Sequence, residues 1–338
     1  MFRPSMAIAT SCSFGGRTAP GTCHRLWTVI SHKDRDERNT PEIQRSDLAE
    51  VVLLLHSLGI REAASFDWLD KPDPQAVQRA ERLLTMLGAL LDADLTPIGH
   101  QMRCLPMHPR YSRMLIEASQ RGCVADAALC AALVSGRDLL ARLDRDDVST
   151  QAAREMFEDS PDSDFITLMR AYDFAKANAF SFDRCRSYGI NAQVARQVEQ
   201  TFQQIMHAAQ QQRLYDRDCG TTAKGDEALL RCLMAGFVDQ LAKRRVPGKP
   251  ECDLTEQRQG QLVRESVVQE AAFFVAANLR EAPSRCTGGS NGVPGTAPAQ
   301  RVTRHPLMAR HGGESAGSLR LPRRPAQRGC PVYPEHLD

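Results

Sequence analysis

Lys243, Arg244 and Arg245 are three consecutive cations, and the chemistry open to them is the holding of phosphates. Ammonium and guanidinium groups in a row can neutralise a nucleic-acid backbone. A solvated helix end collects the same charges, because the helix macrodipole draws cations to its C-terminus. The sequence leaves both readings open. Other candidates fail on spacing. GTTAKGDE around Lys224 mixes Gly with Lys but lacks the order of a phosphate-cradling loop, and no GxxxxGK[ST] string exists. The run DRDD, Asp144 to Asp147, has neither the Gly nor the later Glu of a calcium loop and reads as a solvated acidic connector. His56, His100 and His108 have no ligand spacing, and no Ser/His/Asp or Cys/His constellation emerges. No catalytic residue and no metal site is therefore expected.

The elements that would carry those cations are mostly helical. Aromatics make up only 6% of the 338 residues, and Leu, Ala and Val recur at helical spacing. That length suits two or three small domains. A net charge of +2 gives no global basic field, so any nucleic-acid surface must be local. Eleven cysteines are spread singly from Cys12 to Cys330 without a CxxC pair, as expected of buried or incidental thiols in a reducing cytoplasm. The N-terminus lacks the sustained apolar core of a secretory signal, and no window approaches the roughly 18 apolar residues of a membrane span. A soluble, cytoplasmic protein is expected.

Along the chain, Cys23 to Ile30 reads as a short strand. Asp47 caps a helix with Leu48, Val51, Val52, Leu55 and Leu58 on one stripe, ended by Gly59. Pro72 and Pro74 forbid helix in the next connector, and a second helix is predicted over Gln75 to Leu91. DADLTPIG is a tight reversal, with Thr96 capping a short helix that has Pro97 at its first position. Helix, helix, small β excursion and helix are the layout of a winged-helix unit. Two apolar helices between Tyr111 and Leu143, broken near Gly122, open a helical bundle. Asp144 to Asp162 is expected to be irregular. Helices opened by Asp164 and capped by Asn191 continue the bundle. A helix over Ala228 to Lys243 then precedes β-leaning runs, QLVRESVV and AAFFVAANL, too few to close a barrel. From Pro283 onward the chain is rich in Gly, Pro and Arg without an apolar period, and disorder is expected.

The order of several strings resembles the C-terminal part of DEAH-box RNA helicases, most of all the bacterial HrpB type. GRTAPGTCHRLWT resembles the tail of helicase motif VI and the strand after it. TPEIQRSDLA resembles the link into the winged helix, and LTPIGHQMRCLPMHPRYSRMLI its junction with the helical "ratchet" domain. DSDFITLMRAYDFA and RSYGINAQVARQV resemble ratchet helices. LMAGFVDQLAKRR and SVVQEAAFFVAANLRE resemble the opening of the terminal oligonucleotide-binding (OB) domain. The resemblance covers roughly residues 15 to 281. It implies a mainly α chain: a winged-helix unit (46–110), a ratchet bundle (111–212) and a partial OB-like β segment (225–281), with disordered termini. Residues 15–45 would be a remnant of the second RecA-like domain, 1–14 disordered or outside the family, and 283–338 a disordered basic tail.

The family's motif VI, QRxGRxGR, sends two arginines to the ATP phosphates. In TSCSFGGR only Gly16 and Arg17 match, as a nucleotide-binding remnant; Thr10 stands at the glutamine position and Phe14 at the earlier arginine position. A phenyl ring cannot neutralise developing phosphate charge, so Arg17 reads as a solvated loop arginine. No DEAH or DEXH string exists, and Asp36–Glu37–Arg38–Asn39 is part of a charged loop. The family's ATP and Mg²⁺ would then not be retained. The expectation is a truncated or frame-disrupted helicase, inactive alone, holding single-stranded RNA weakly through Arg186, Lys243, Arg244 and Arg245, with a separate polypeptide as a possible motor and no membrane partner. Arg186 could equally pair with Asp183. The alternatives are a stand-alone RNA- or protein-binding module and, more weakly, a DNA-binding regulator reading bases with Arg103 and Gln101.

Overall fold

In a computed structural model, which describes residues 26–28, 30, 31, 40–142, 147–158, 160–216, 225–263, 265–279 and 297–304, three hydrophobic cores succeed one another along the chain. Residues 26–28 form no strand and 30–31 are helical, against the strand expected over Cys23 to Ile30. Residues 1–14 lie outside the described residues.

The first core belongs to a winged-helix unit. Asp47 accepts from the Ala49 amide at 2.8 Å and opens α1, Ala49–Ser57, which buries Val52, Leu53 and Leu55. Pro74 starts α2, Pro74–Met86, instead of forbidding it. Asp73 accepts from the Gln75 amide, and proline at the first position forfeits no helical hydrogen bond. The helix ends before Leu91, at a turn where Gly88 has φ +75°. Leu90–Leu91 (β1) and Asp94–Leu95 (β2) then pair as the wing. Thr96 caps α3, Pro97–Arg103, by accepting from the Gly99 amide at 3.0 Å, as its sequence predicts.

The second core is the bundle. It comprises α4 (Pro109–Arg121), α5 (Val124–Ser135), α6 (Val148–Arg154), α7 (Asp164–Ala177), α8 (Phe182–Ser187), α9 (Ala192–Gln211) and α10 (Asp226–Gly236). Gly122, at φ +71°, turns the chain from α4 into α5. The stretch expected to be irregular contains α6 and a 3-10 turn, Glu155–Phe157, because Arg154 and Phe157 are buried there. The helix expected to reach Lys243 stops at Gly236. A Cβ on Gly236 would lie 2.8 Å from the Arg110 carbonyl oxygen, so α10 and α4 are at backbone contact.

The third core is a closed five-stranded barrel in the order β3-β4-β5-β7-β6. Its strands are β3 (Leu241–Arg244), β4 (Glu251–Leu254), β5 (Gln259–Leu262), β6 (Phe273–Leu279) and β7 (Ala297–Arg304). Alternation puts Ala242, Cys252, Leu254, Leu262 and Phe274 inside. Strand β7 corrects two expectations. It lies in the stretch expected to be disordered, and by pairing antiparallel with β6 and parallel with β5 it supplies the closure thought to be missing. Its sequence, APAQRVTR, has no alternating apolar face, so backbone pairing rather than side-chain pattern defines it.

Polar contacts tie the units together. Arg110 of α4 grips both carboxylate oxygens of Asp239 in the turn before β3, with Nη2 to Oδ2 at 2.7 Å. Asp164 at the start of α7 accepts from Ser266 Oγ at 2.9 Å and the Val267 amide at 2.8 Å in the barrel. Arg82 of α2 pairs with Glu256 at 2.9 Å.

Both the α10–α4 contact and the hydrogen bonds of Asp47, one residue before the Leu48 N-cap of α1, are open to test. Gly236→Ala forces α10 off α4 and lowers stability by about 1–3 kcal/mol in urea denaturation; an unchanged midpoint contradicts the backbone contact. The hydrogen bond from His108, with the Ala49 amide, holds the Asp47 carboxyl down from the ordinary 3.8 to about 2. A depressed carboxyl stabilises above its unfolded pKa and loses that contribution as pH falls through the folded value. The stability gap between wild type and Asp47→Asn therefore narrows between pH 5 and pH 2, and a constant gap in the same titration contradicts the pairing.

Candidate nucleic-acid interface

The three consecutive cations do not form a cluster. They lie on and just after β3 rather than at a helix end, and strand alternation sends them to different places. Arg244 points inward and is 5% exposed. Its guanidinium donates to the backbone carbonyls of Val268 at 2.7 Å, Ala271 at 3.1 Å and Lys249 at 2.5 Å, and lies over the Phe274 ring. Burial pushes its pKa below the ordinary arginine value. With its donors occupied by the barrel's own backbone, Arg244 is a structural residue, and its expected role toward RNA is corrected. Arg245 is exposed but committed: Nε and Nη2 both donate to Asp253 Oδ1, at 2.8 and 2.6 Å, and that hydrogen bond raises its pKa.

Lys243 is left free by its neighbours. Its register partners are Asp253 on β4 and Phe273 on β6. Arg245 takes the Asp253 carboxylate, and the Lys243 ammonium sits 6.0 Å from the centre of the Phe273 ring. A cation beside a half-buried aromatic ring is the pairing that serves single strands, one group for the phosphate and one for the base. The sequence points to the lysine; the phenylalanine, thirty residues on, becomes its neighbour only through the register.

Arg186 is on α8, exposed, and makes no ion pair with Asp183. Its setting is fixed by the turn at the end of α8. Gly189, at φ +60°, lets the chain run past Arg154, whose side chain would meet any Cβ at 2.3 Å. Buried Arg154 donates to the carbonyls of Tyr188 at 3.1 Å, Gly189 at 2.9 Å and Ala141 at 2.6 Å. Through this clamp residues 139–141 pair with 189–191, with a bridge between Leu140 and Ile190. Arg142 is the next residue after the pairing on one side, and α8 with Arg184 and Arg186 comes just before it on the other. All three arginines are exposed, and none forms an ion pair among the described residues. Arg142 and Arg184 were not singled out by the sequence, because the pairing of 139–141 with 189–191 that brings these segments side by side joins distant parts of the chain.

The nearby cleft between bundle and barrel, of about 130 Å³, is lined by charges of both signs, with Arg142 and Arg154 among them. Asp138, Glu158, Asp164 and Glu265 line it, and burial with nearby Glu155 raises the Glu158 carboxyl. Gly16 and Arg17 lie outside the described residues. Among the described residues no group of three or more His, Cys, Asp or Glu is placed to hold a metal ion, and no helix is long and apolar enough to cross a membrane.

Comparison with known proteins agrees with this architecture. Residues 80–107 match the winged-helix helicase-associated domain (HA2), and residues 108–168 match the ratchet-like helicase-associated domain (HA2). The chain is similar to the pre-mRNA-splicing factor ATP-dependent RNA helicase prp22 of Schizosaccharomyces pombe, with 32% identity over 231 residues. The match covers 68% of this chain and 19% of that protein, so the chain spans about a fifth of the relative's length. These similarities support the reading of the chain as a C-terminal portion of the DEAH-box helicase kind.

The division of labour among the three cations is directly testable. Arg244→Lys loses the planar fork that serves three carbonyls and lowers stability by about 2–3 kcal/mol, whereas Lys243→Ala stays within about 0.5 kcal/mol of wild type. Equal urea midpoints for the two variants would contradict the inward and outward assignment.

Proposed function

We propose that this chain is the RNA-holding scaffold of a DEAH-box RNA helicase of the bacterial HrpB type, and that alone it grips single-stranded RNA weakly without hydrolysing ATP. The observation that carries the reading is the tandem of winged-helix and ratchet-like helicase-associated matches over residues 80–168. Support for the HrpB assignment is the order of strings from GRTAPGTCHRLWT to SVVQEAAFFVAANLRE. Arg142, Arg184, Arg186 and Lys243 would contact phosphates, and Phe273 would stack a base. Arg245 joins them only where RNA displaces it from Asp253.

Phosphoryl transfer needs a phosphate cradle with its Lys and acidic groups for Mg²⁺. The sequence holds neither string, and Gly16 and Arg17 are the part of motif VI that it matches. The proposed setting is the cytoplasm. In the intact family, ATP hydrolysis drives movement along RNA in the 3'-to-5' direction; here we assign the chain the holding part of that task. A stand-alone RNA- or protein-binding module is the second reading. It is favoured by the continuity of the three cores, which α4 and the polar junctions join into one body.

Phosphate release and RNA anisotropy test the proposal together. The purified chain gives no RNA-stimulated ATP turnover, and robust turnover would overturn the scaffold reading. Binding of a uridine-rich single strand weakens steeply with salt. Removing Arg142, Arg184 and Arg186 together reduces the log–log salt slope by about 2, at ~0.7 per phosphate contact. A slope unchanged in the triple variant would remove the α8 corner from the interface.

A further inference from the structure

Two thiols far apart in sequence are in contact. Cys123 Sγ and Cys232 Sγ lie 3.5 Å apart, at a sequence separation of 109. Cys123 is 7% exposed at the turn from α4 into α5, and Cys232 is fully buried in α10. A disulfide requires about 2.05 Å between sulfurs, so closing the pair takes a movement of about 1.5 Å. No other pair of buried thiols among the described residues is within hydrogen-bond reach. Cys130 donates to the Met169 thioether at 3.6 Å, and Cys185 and Cys252 contact no sulfur.

The surroundings give the two sulfurs different roles. Cys123 is the N-cap residue of α5, where the partial positive charge of the helix N-terminus favours a thiolate. A thiol–thiol hydrogen bond joins it to Cys232, and Arg121 adds a favourable charge. Together they hold the Cys123 thiol below its usual range against burial and the Asp126 and Asp216 carboxylates. The same hydrogen bond, with burial, pushes Cys232 far up. Cys123, at the helix N-terminus and the less buried of the two, is the nucleophile, and the fully buried Cys232 the resolving thiol.

We propose that Cys123 and Cys232 form a redox pair whose oxidation pins α10 to the start of α5. With hydrogen peroxide as oxidant, the Cys123 thiolate attacks one oxygen, breaks the O–O bond and becomes a sulfenic acid, releasing hydroxide that takes up the proton lost by the thiol. The Cys232 sulfur then attacks the sulfenic sulfur. The S–S bond forms, the S–O bond breaks, and the Cys232 proton leaves with the hydroxyl group as water. Two thiols and one peroxide give one disulfide and two waters. The new bond fixes the helix that delivers the chain to the barrel, and it closes a loop long enough to restrict the unfolded state strongly.

The test uses the full chain and mild peroxide, with remaining thiols blocked by N-ethylmaleimide and peptides mapped without reduction. A Cys123–Cys232 linked peptide, two hydrogens lighter than its parts, is expected, with a Tm rise on the order of 5–10 °C that dithiothreitol reverses. Cys232→Ser loses the link and the Tm rise, and leaves a Cys123 sulfenic acid that dimedone labels. Cys130→Ser keeps both. If Cys123 and Cys232 in the peroxide-treated wild type are blocked as completely as Cys130, the proposal is overturned. This mapping decides the matter even where a variant does not fold. A Tm rise that persists in Cys232→Ser overturns it equally.

Discussion

Helix α4 is the constraint on which the rest of the molecule depends, because two cores are built on it at once. Met114, Leu115 and Ala118 pack into the bundle, while Ile116, on another side of the same helix, packs into the winged-helix core. Arg110 near its start holds Asp239 ahead of the barrel, and its carbonyl abuts Gly236. Of its thirteen residues only Gln120 is exposed. A helix buried on nearly every side cannot shift for one neighbour without disturbing the others, since close-packed interiors transmit displacement. The winged helix and the barrel are thus placed by the same strut.

Much of this architecture was legible in the sequence, for a physical reason. Helix starts and stops are local chemistry: Thr96 with Pro97, Asn191 accepting from two amides, and Gly122 at positive φ each act within a few residues. Errors arose where a local rule had two outcomes. Pro74 could block a helix or begin one, and the carboxylate of Asp73 decided for the beginning. Gly236 ends α10 because of a backbone from another helix, which no window around it reveals. Strand β7 was illegible because its pairing partners are distant and its own pattern is not that of a half-buried strand.

The candidate interface was legible only in part, because a run of like charges in sequence says nothing about direction, whereas a strand sends successive side chains to opposite faces. Lys243, Arg244 and Arg245 consequently became a free cation beside an aromatic ring, a buried clamp and an ion-pair partner. The α8 corner shows the opposite case. There Arg154, spent on three carbonyls, aligns two segments whose arginines look ordinary in sequence. Two buried arginines, Arg154 and Arg244, therefore shape the surface by holding backbone carbonyls, while the exposed cations lie on the segments they fix.

Under the proposed function, a single RNA strand contacts these exposed cations rather than the winged helix's short α3. Ultraviolet crosslinking of a uridine-rich single strand to the full chain at low salt, with the attachment sites mapped by mass spectrometry, decides between the two paths. Attachment within Phe182–Ser187 and at Phe273 or its β3 neighbours is the predicted result. Crosslinks confined to Pro97–Arg103, or none at all, would contradict it.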